Sequence, residues 1–146
     1  MMFEVITNSP EETISFGAKL SSKLRPGDIV LLYGNLGAGK TTLTTGICKY
    51  FSISFAKSPT FTIVNIYNGD FPICHIDLYR IDSKNDLIFG EISEYFNSGD
   101  YITIVEWAEK LPDDFADDKL IAVRLERLSE EKRKITVEGL NESDYR

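Results

Sequence analysis

The sequence predicts a three-layer α/β domain built on a mixed, partly parallel sheet. Three observations predict it. Short apolar runs bounded by turn residues alternate with segments of helical periodicity. A glycine-rich loop joins one such run directly to one such helix. Two further pairs of runs are adjacent and joined by turn residues, so antiparallel hairpins accompany the parallel part. The chain has 146 residues, 42% of them hydrophobic and 27% charged, which suits one globular domain with a proper core. That domain is expected over residues 1–140, followed by a short tail, residues 141–146, that is expected to fray.

The elements follow in order. Residues 1–7 read as a first strand. Ser9, Pro10 and Glu12 then form a helix start: Ser9 caps, Pro10 suits the first helical position, and Glu12 completes a capping box. Ile14, Phe16, Leu20 and Leu24 give that helix an apolar face up to Pro26. Residues 28–33 are a continuous apolar run and read as a buried strand. The spacing of Leu43, Ile47, Tyr50 and Phe51 predicts a helix over 42–51. Residues 62–67 and 71–78 read as a hairpin around Asn68-Gly69-Asp70. A helix is predicted over 83–96 with a break at Gly90, then a strand over 101–105, an acidic loop over 112–118, and a closing hairpin formed by 120–128 and 134–138.

The loop between the second strand and the second helix carries the chemistry. Residues 34–41 read G-N-L-G-A-G-K-T, matching G-x-x-x-x-G-K-[ST], and they have the strand before and the helix after that this motif requires. Glycines at 34, 37 and 39 let the backbone turn sharply and bring its N–H groups onto phosphate oxygens. The helix beginning near Gly39 adds its positive N-terminal dipole. Lys40 is placed to reach the β- and γ-phosphates, and the Thr41 hydroxyl to coordinate Mg²⁺. A dinucleotide fingerprint is excluded, since it has a different glycine spacing and no Lys-Thr pair. The expected architecture is therefore the P-loop NTPase fold, with nucleotide at the carboxyl ends of the parallel strands.

Such a loop needs an acidic partner on a neighbouring strand. Two apolar runs end in one, at Asp77 and at Glu106, and spacing does not rank them. Either could instead face water or cap a helix. Ser58-Pro59-Thr60-Phe61 reads first as a turn opening a strand, and more sharply as a switch loop whose Thr60 hydroxyl senses the γ-phosphate. His75, the single histidine, makes no metal site without a companion and reads as a strand residue. Trp107, the single tryptophan, is either core or an interface anchor.

Composition excludes several classes. No run approaches a membrane span. The N-terminus is too short and too acidic for a signal peptide, so a cytoplasmic location is expected. Cys48 and Cys74 lie in apolar patterns and are expected to be buried reduced thiols. The net charge of −7 offers no basic face for nucleic acid. Lys132-Arg133-Lys134 follows two glutamates and reads as a solvated turn. If RNA is involved, other subunits are expected to hold it.

Taken together, G-N-L-G-A-G-K-T-T, S-P-T-F, H-I-D-L-Y-R and V-E-W, in this order and at these spacings, resemble the bacterial TsaE (YjeE) family. The resemblance covers about residues 3–138. It implies a small P-loop ATPase needed to make N6-threonylcarbamoyladenosine in tRNA, acting with a TsaD-like threonylcarbamoyl transferase and a TsaB-like subunit. It implies that Leu36, Gly37, Ala38, Gly39, Lys40, Thr41 and Thr42 hold the ATP phosphates, and that Thr41 and Glu106 bind Mg²⁺. By the same resemblance Asp77 stands near the γ-phosphate, Thr60 belongs to a switch loop, and Trp107 lies beside the site. The start of the first helix, around residues 11–13, and the basic turn at Lys132 and Arg133 are implied to touch the nucleotide. Two other readings stay open on the sequence. One is a small P-loop kinase acting on a small molecule, against which the scarcity of clustered arginines counts. The other is a nucleotide-dependent interaction module without useful hydrolysis.

Overall fold

The computed structural model describes residues 2–35, 37–53, 63–81, 86–112 and 120–140. The order is β1 (Met2–Thr7), α1 (Pro10–Ser21), β2 (Ile29–Tyr33), α2 (Lys40–Tyr50), β3 (Val64–Tyr67), β4 (Ile73–Asp77), α3 (Asp86–Ser98), β5 (Ile102–Glu106), a short 3₁₀ turn (Ala108–Lys110), β6 (Leu120–Arg127) and β7 (Arg133–Glu138). The seven strands form one sheet in the order β1-β7-β6-β2-β5-β4-β3. Its centre is parallel, with β2 between β5 and β6 and β4 beside β5. Its flanks are antiparallel, β3 on β4 at one end and β6-β7-β1 at the other. This is the mixed sheet that the apolar runs predict.

Helices cover both faces and make the three layers. α1 and α2 lie on one face, where Phe16, Leu20, Leu43 and Ile47 meet Val30, Leu32, Ile104, Val123 and Ile135. α3 lies on the other, where Phe89, Ile92 and Phe96 meet Ile29, Leu31, Cys74, Ile76 and Val105. Strands with an apolar residue facing each layer must be apolar throughout, which explains why β2 and β5 are continuous runs without alternation.

Local chemistry fixes the first helix. Ser9 Oγ accepts from the Glu12 amide at 3.2 Å, and Glu12 Oε1 reaches back to the Asn8 amide at 3.1 Å, one residue before the position the predicted box assigns. α1 and α2 then cross at two glycines. A Cβ on Gly17 would stand 2.6 Å from the Leu43 carbonyl oxygen, and one on Gly46 would stand 2.2 Å from that of Ile14. The absence of side chains there lets the two backbones touch.

One expectation is corrected. α3 runs unbroken through Gly90, because Phe89, Ile92 and Phe96 bury one face of the helix and outweigh the cost of one mid-helix glycine, about 1 kcal/mol. α2 begins at Lys40, directly after Gly39 where the sequence expects the helix to start, since the first turn grows straight out of the glycine loop. The predicted acidic loop over 113–118, the helix start over 83–85 and the tail lie outside the described residues. Among the described residues, no helix is long and apolar enough to cross a membrane.

Candidate functional site

The glycine loop has the backbone its composition requires. Gly37 and Gly39 take φ of 84° and 106°, which residues with a Cβ rarely adopt. Gly39 is the N-cap of α2, yet no side chain caps that end and its first turn holds no acidic residue. α1 is the opposite, with a serine cap and Glu11 and Glu12 in its first turn. An α-helix begins with unpaired N–H groups and a positive partial charge. α1 satisfies these from within the chain. α2 leaves them available and adds Lys40 as its first residue, an arrangement that favours an anion.

The carboxyl ends of β4 and β5 supply the other wall. Asp77 and Glu106 are register partners on these adjacent parallel strands, so both carboxylates leave the same face of the sheet. That face is the one α2 covers. Asp77 Oδ1 accepts from the Tyr79 amide at 3.0 Å. Glu106 is buried, and its Oε2 lies 2.6 Å from His75 Nε2. Between the loop and these carboxylates is a hollow of about 360 Å³, lined by Gly37, Gly39, Lys40, Thr41 and Thr42 on one side and by Asp77, Tyr79, Glu106, Trp107 and Arg133 on the other. A larger hollow, about 640 Å³, adjoins the loop at Gly34, Asn35 and Ala38 and is otherwise walled by Tyr33, Glu109 and residues 124–127. It includes neither Lys40 nor Asp77 nor Glu106, so the smaller hollow is the candidate site.

Lys40 is only 6% exposed. Its ammonium donates to the Gly34 carbonyl at 2.7 Å and sits 3.8 Å from the centre of the Trp107 ring. Burial lowers its pKa, and the negative charges of Glu106, Glu109 and Asp77 oppose that fall. Trp107 holds a left-handed backbone, φ 59° and ψ 43°, as the chain turns from β5 into the 3₁₀ helix. That conformation is costly for a bulky residue, and such strain clusters where a site must be shaped. Tyr79 packs against the indole, with ring centroids 5.0 Å apart.

The structure brings Gly37, Gly39, Lys40, Thr41, Thr42, Asp77 and Glu106 around one hollow. Ala38 is buried behind the loop, its amide on the Asn35 carbonyl. Leu36 and Thr60, with the rest of the 58–61 segment, lie outside the described residues. Lys132 does not line the hollow. Its neighbour Arg133 does, donating from Nη2 to the Gly37 carbonyl at 3.2 Å and from Nη1 to the Ser129, Glu130 and Lys132 carbonyls. Strand alternation explains the difference. Arg133 shares its face of β7 with the buried Ile135 and Val137, towards α2, whereas Lys132 precedes the strand and is exposed. At the start of α1, Glu12 is engaged in capping and Thr13 is buried against Thr7, its hydroxyl 2.7 Å from that of Thr7. Sequence reasoning missed the contact of His75 with Glu106, which spans 31 residues.

Comparison with known proteins agrees with this geometry. The family described as "Threonylcarbamoyl adenosine biosynthesis protein TsaE" matches residues 7–135. The tRNA threonylcarbamoyladenosine biosynthesis protein TsaE of Bacillus subtilis is 36% identical over 132 residues, covering 89% of this chain and 81% of that protein. The protein of the same name from Aquifex aeolicus is 36% identical over 141 residues, covering 94% and 96%. A crystal structure of Bacillus subtilis YdiB superposes with a TM-score of 0.73 at 32% identity, over 94% of this chain and 84% of that one. With the loop, the paired strand-end carboxylates and the sheet in place, the chain belongs to the TsaE family.

Proposed function

We propose that the chain serves tRNA threonylcarbamoyladenosine biosynthesis as a Mg²⁺-dependent ATPase, working with TsaD-like and TsaB-like subunits. The observation that carries this reading is the uncapped N-terminus of α2, with Lys40 on its first turn facing Asp77 and Glu106 across one hollow. The loop amides and the α2 terminus receive the phosphates, and Lys40 neutralises charge on the β- and γ-phosphoryl oxygens. To do so its ammonium leaves the Gly34 carbonyl and the Trp107 ring.

The donors fit magnesium. They are hard oxygens, the Thr41 hydroxyl and strand-end carboxylates, on the wall of the same hollow. Among the described residues no three acidic, histidine or cysteine side chains cluster tightly enough to hold a metal alone. That suits an ion carried in largely by nucleotide phosphates and water. Bound there, it would neutralise charge on the phosphoryl oxygens. Thr41 and Glu106 are the residues to hold it, and Asp77 is placed to orient the attacking water or the ion's own water. Hydrolysis is in-line attack of water on the γ-phosphate. Slow turnover by the isolated chain is expected, because among the described residues no arginine other than Arg133 lines the hollow and Arg133 is tied to backbone carbonyls. The net charge of −7 suits a protein that docks on partner proteins and leaves tRNA to them.

Calorimetric titration with ATP, with and without Mg²⁺, and steady-state hydrolysis with and without the partner subunits test this reading. Mg²⁺-dependent binding with slow hydrolysis that the partners alter is the expected result. No ATP binding, or fast turnover by the lone chain, would overturn it.

A further inference from the structure

His75 is the single histidine of the chain. It lies in the middle of β4, 2% exposed, two residues before Asp77 and on the same face of the sheet. Its Nε2 is 2.6 Å from Glu106 Oε2 on β5, and its Nδ1 is 3.1 Å from the Tyr67 hydroxyl on β3. Three strands thus contribute to one line of hydrogen bonds that ends on a carboxylate of the hollow. A carboxylate accepts, so Nε2–H donates to Glu106, while Nδ1 pairs with the Tyr67 hydroxyl.

We propose that His75 is a positioning residue that selects magnesium over calcium, a role that rests on the ATPase reading above. The imidazole engages Oε2 of Glu106 and leaves Oε1 for the ion. A carboxylate tethered in this way ligates through one oxygen. Mg²⁺ demands compact octahedral geometry and accepts single-oxygen carboxylate ligation. Ca²⁺ takes more ligands at longer distances and readily uses both oxygens of one carboxylate. The buried imidazole therefore withholds the second oxygen that calcium would use. Tyr67 keeps the ring from rotating away. Packing alone would be served by any apolar residue of similar size, and it would not place a donor on Glu106.

The test measures Mg²⁺ and Ca²⁺ affinity separately by calorimetry, with a non-hydrolysable ATP analogue bound, for the wild type, His75→Leu, His75→Gln and Tyr67→Phe. Partners that orient a metal ligand typically contribute about 10- to 100-fold in affinity. His75→Leu is expected to weaken Mg²⁺ by about 10-fold while Ca²⁺ holds or tightens. His75→Gln, which can still donate to Glu106, should recover most of the wild-type preference, and Tyr67→Phe should shift it part of the way. An unchanged Mg²⁺ to Ca²⁺ ratio in His75→Leu overturns the proposal. If that variant melts early, Tyr67→Phe and the wild type decide. Long-range ¹H–¹⁵N spectra of the single imidazole should show Nε2 moving when Mg²⁺ joins the analogue and moving differently with Ca²⁺. Identical shifts for the two ions count against the role. Failure of the wild type to bind the analogue with either ion would overturn the ATPase reading, and this inference with it.

Discussion

Replacing Gly46 with alanine tests how closely α1 and α2 must approach. The new Cβ would meet the Ile14 carbonyl oxygen at 2.2 Å and its carbon and Cα at 3.0 Å. Those are backbone atoms of a packed helix, so no side chain can swing aside. The contact is more than an ångström inside ordinary van der Waals distance, and the helices must separate. Overpacking of this kind costs about 1–3 kcal/mol, and so tight a backbone contact belongs at the upper end. Alanine in a helix interior returns about 1 kcal/mol relative to glycine. The net loss is about 2 kcal/mol, equivalent to a fall in Tm of roughly 4–8 °C for a chain of this size. Gly90→Ala is the matched control. It also lies inside a helix, but its Cβ would meet nothing within 4 Å. Only the propensity gain remains, and Tm should rise by roughly 2–4 °C. Thermal melts followed by far-UV circular dichroism measure both. A Gly46→Ala protein as stable as wild type would refute the close helix contact. Because α2 carries Lys40 and Thr41, the same variant should also weaken ATP binding, which Gly90→Ala should leave unchanged.

Three further outcomes are expected. Lys40→Ala should weaken ATP binding or hydrolysis by on the order of 100-fold, read by calorimetry and phosphate release; unaltered values would overturn the loop assignment. Glu106→Ala and Asp77→Ala should each abolish hydrolysis while metal-free ATP binding survives, and Thr41→Ala should shift the Mg²⁺ titration. Burial pushes the Cys48 thiol from 9.0 up to about 11 and Cys74 up to about 12, so neither should react with a disulfide reagent at pH 8 until the chain is unfolded. The unfolded chain releases these protons first, so their contribution to stability is intact below pH 9 and declines as pH climbs from 9 towards 11 and 12, a trend urea titrations would show.

The parts legible in the sequence were those specified over short stretches. The phosphate loop, the Ser9 cap and the two hairpins each depend on residues close to one another in sequence, and their patterns name their geometry. Asp77 and Glu106 were legible as strand ends. Their pairing was not, because register between β4 and β5 is set by the whole sheet. Lys132 ends the exposed turn and Arg133 opens β7 on its buried face, and a basic run without an alternating polar pattern hides that boundary. The contact between His75 and Glu106 and the crossing at Gly17 and Gly46 join positions about thirty residues apart, where local periodicity carries no signal. Gly90 misled for the opposite reason: a local breaker signal was outweighed by the apolar face of α3.

The resting place of Lys40 has a consequence for how a cycle begins. On the ATPase reading proposed above, an arriving triphosphate would draw the ammonium off an indole and with it unload Trp107, the single tryptophan of the chain, whose emission would register the exchange. Any protein that braces that ring from outside would make the cation harder to release, and one that tilts it away would make it easier. Under that reading, control over when the cycle starts would be exerted from the rim without touching the phosphates.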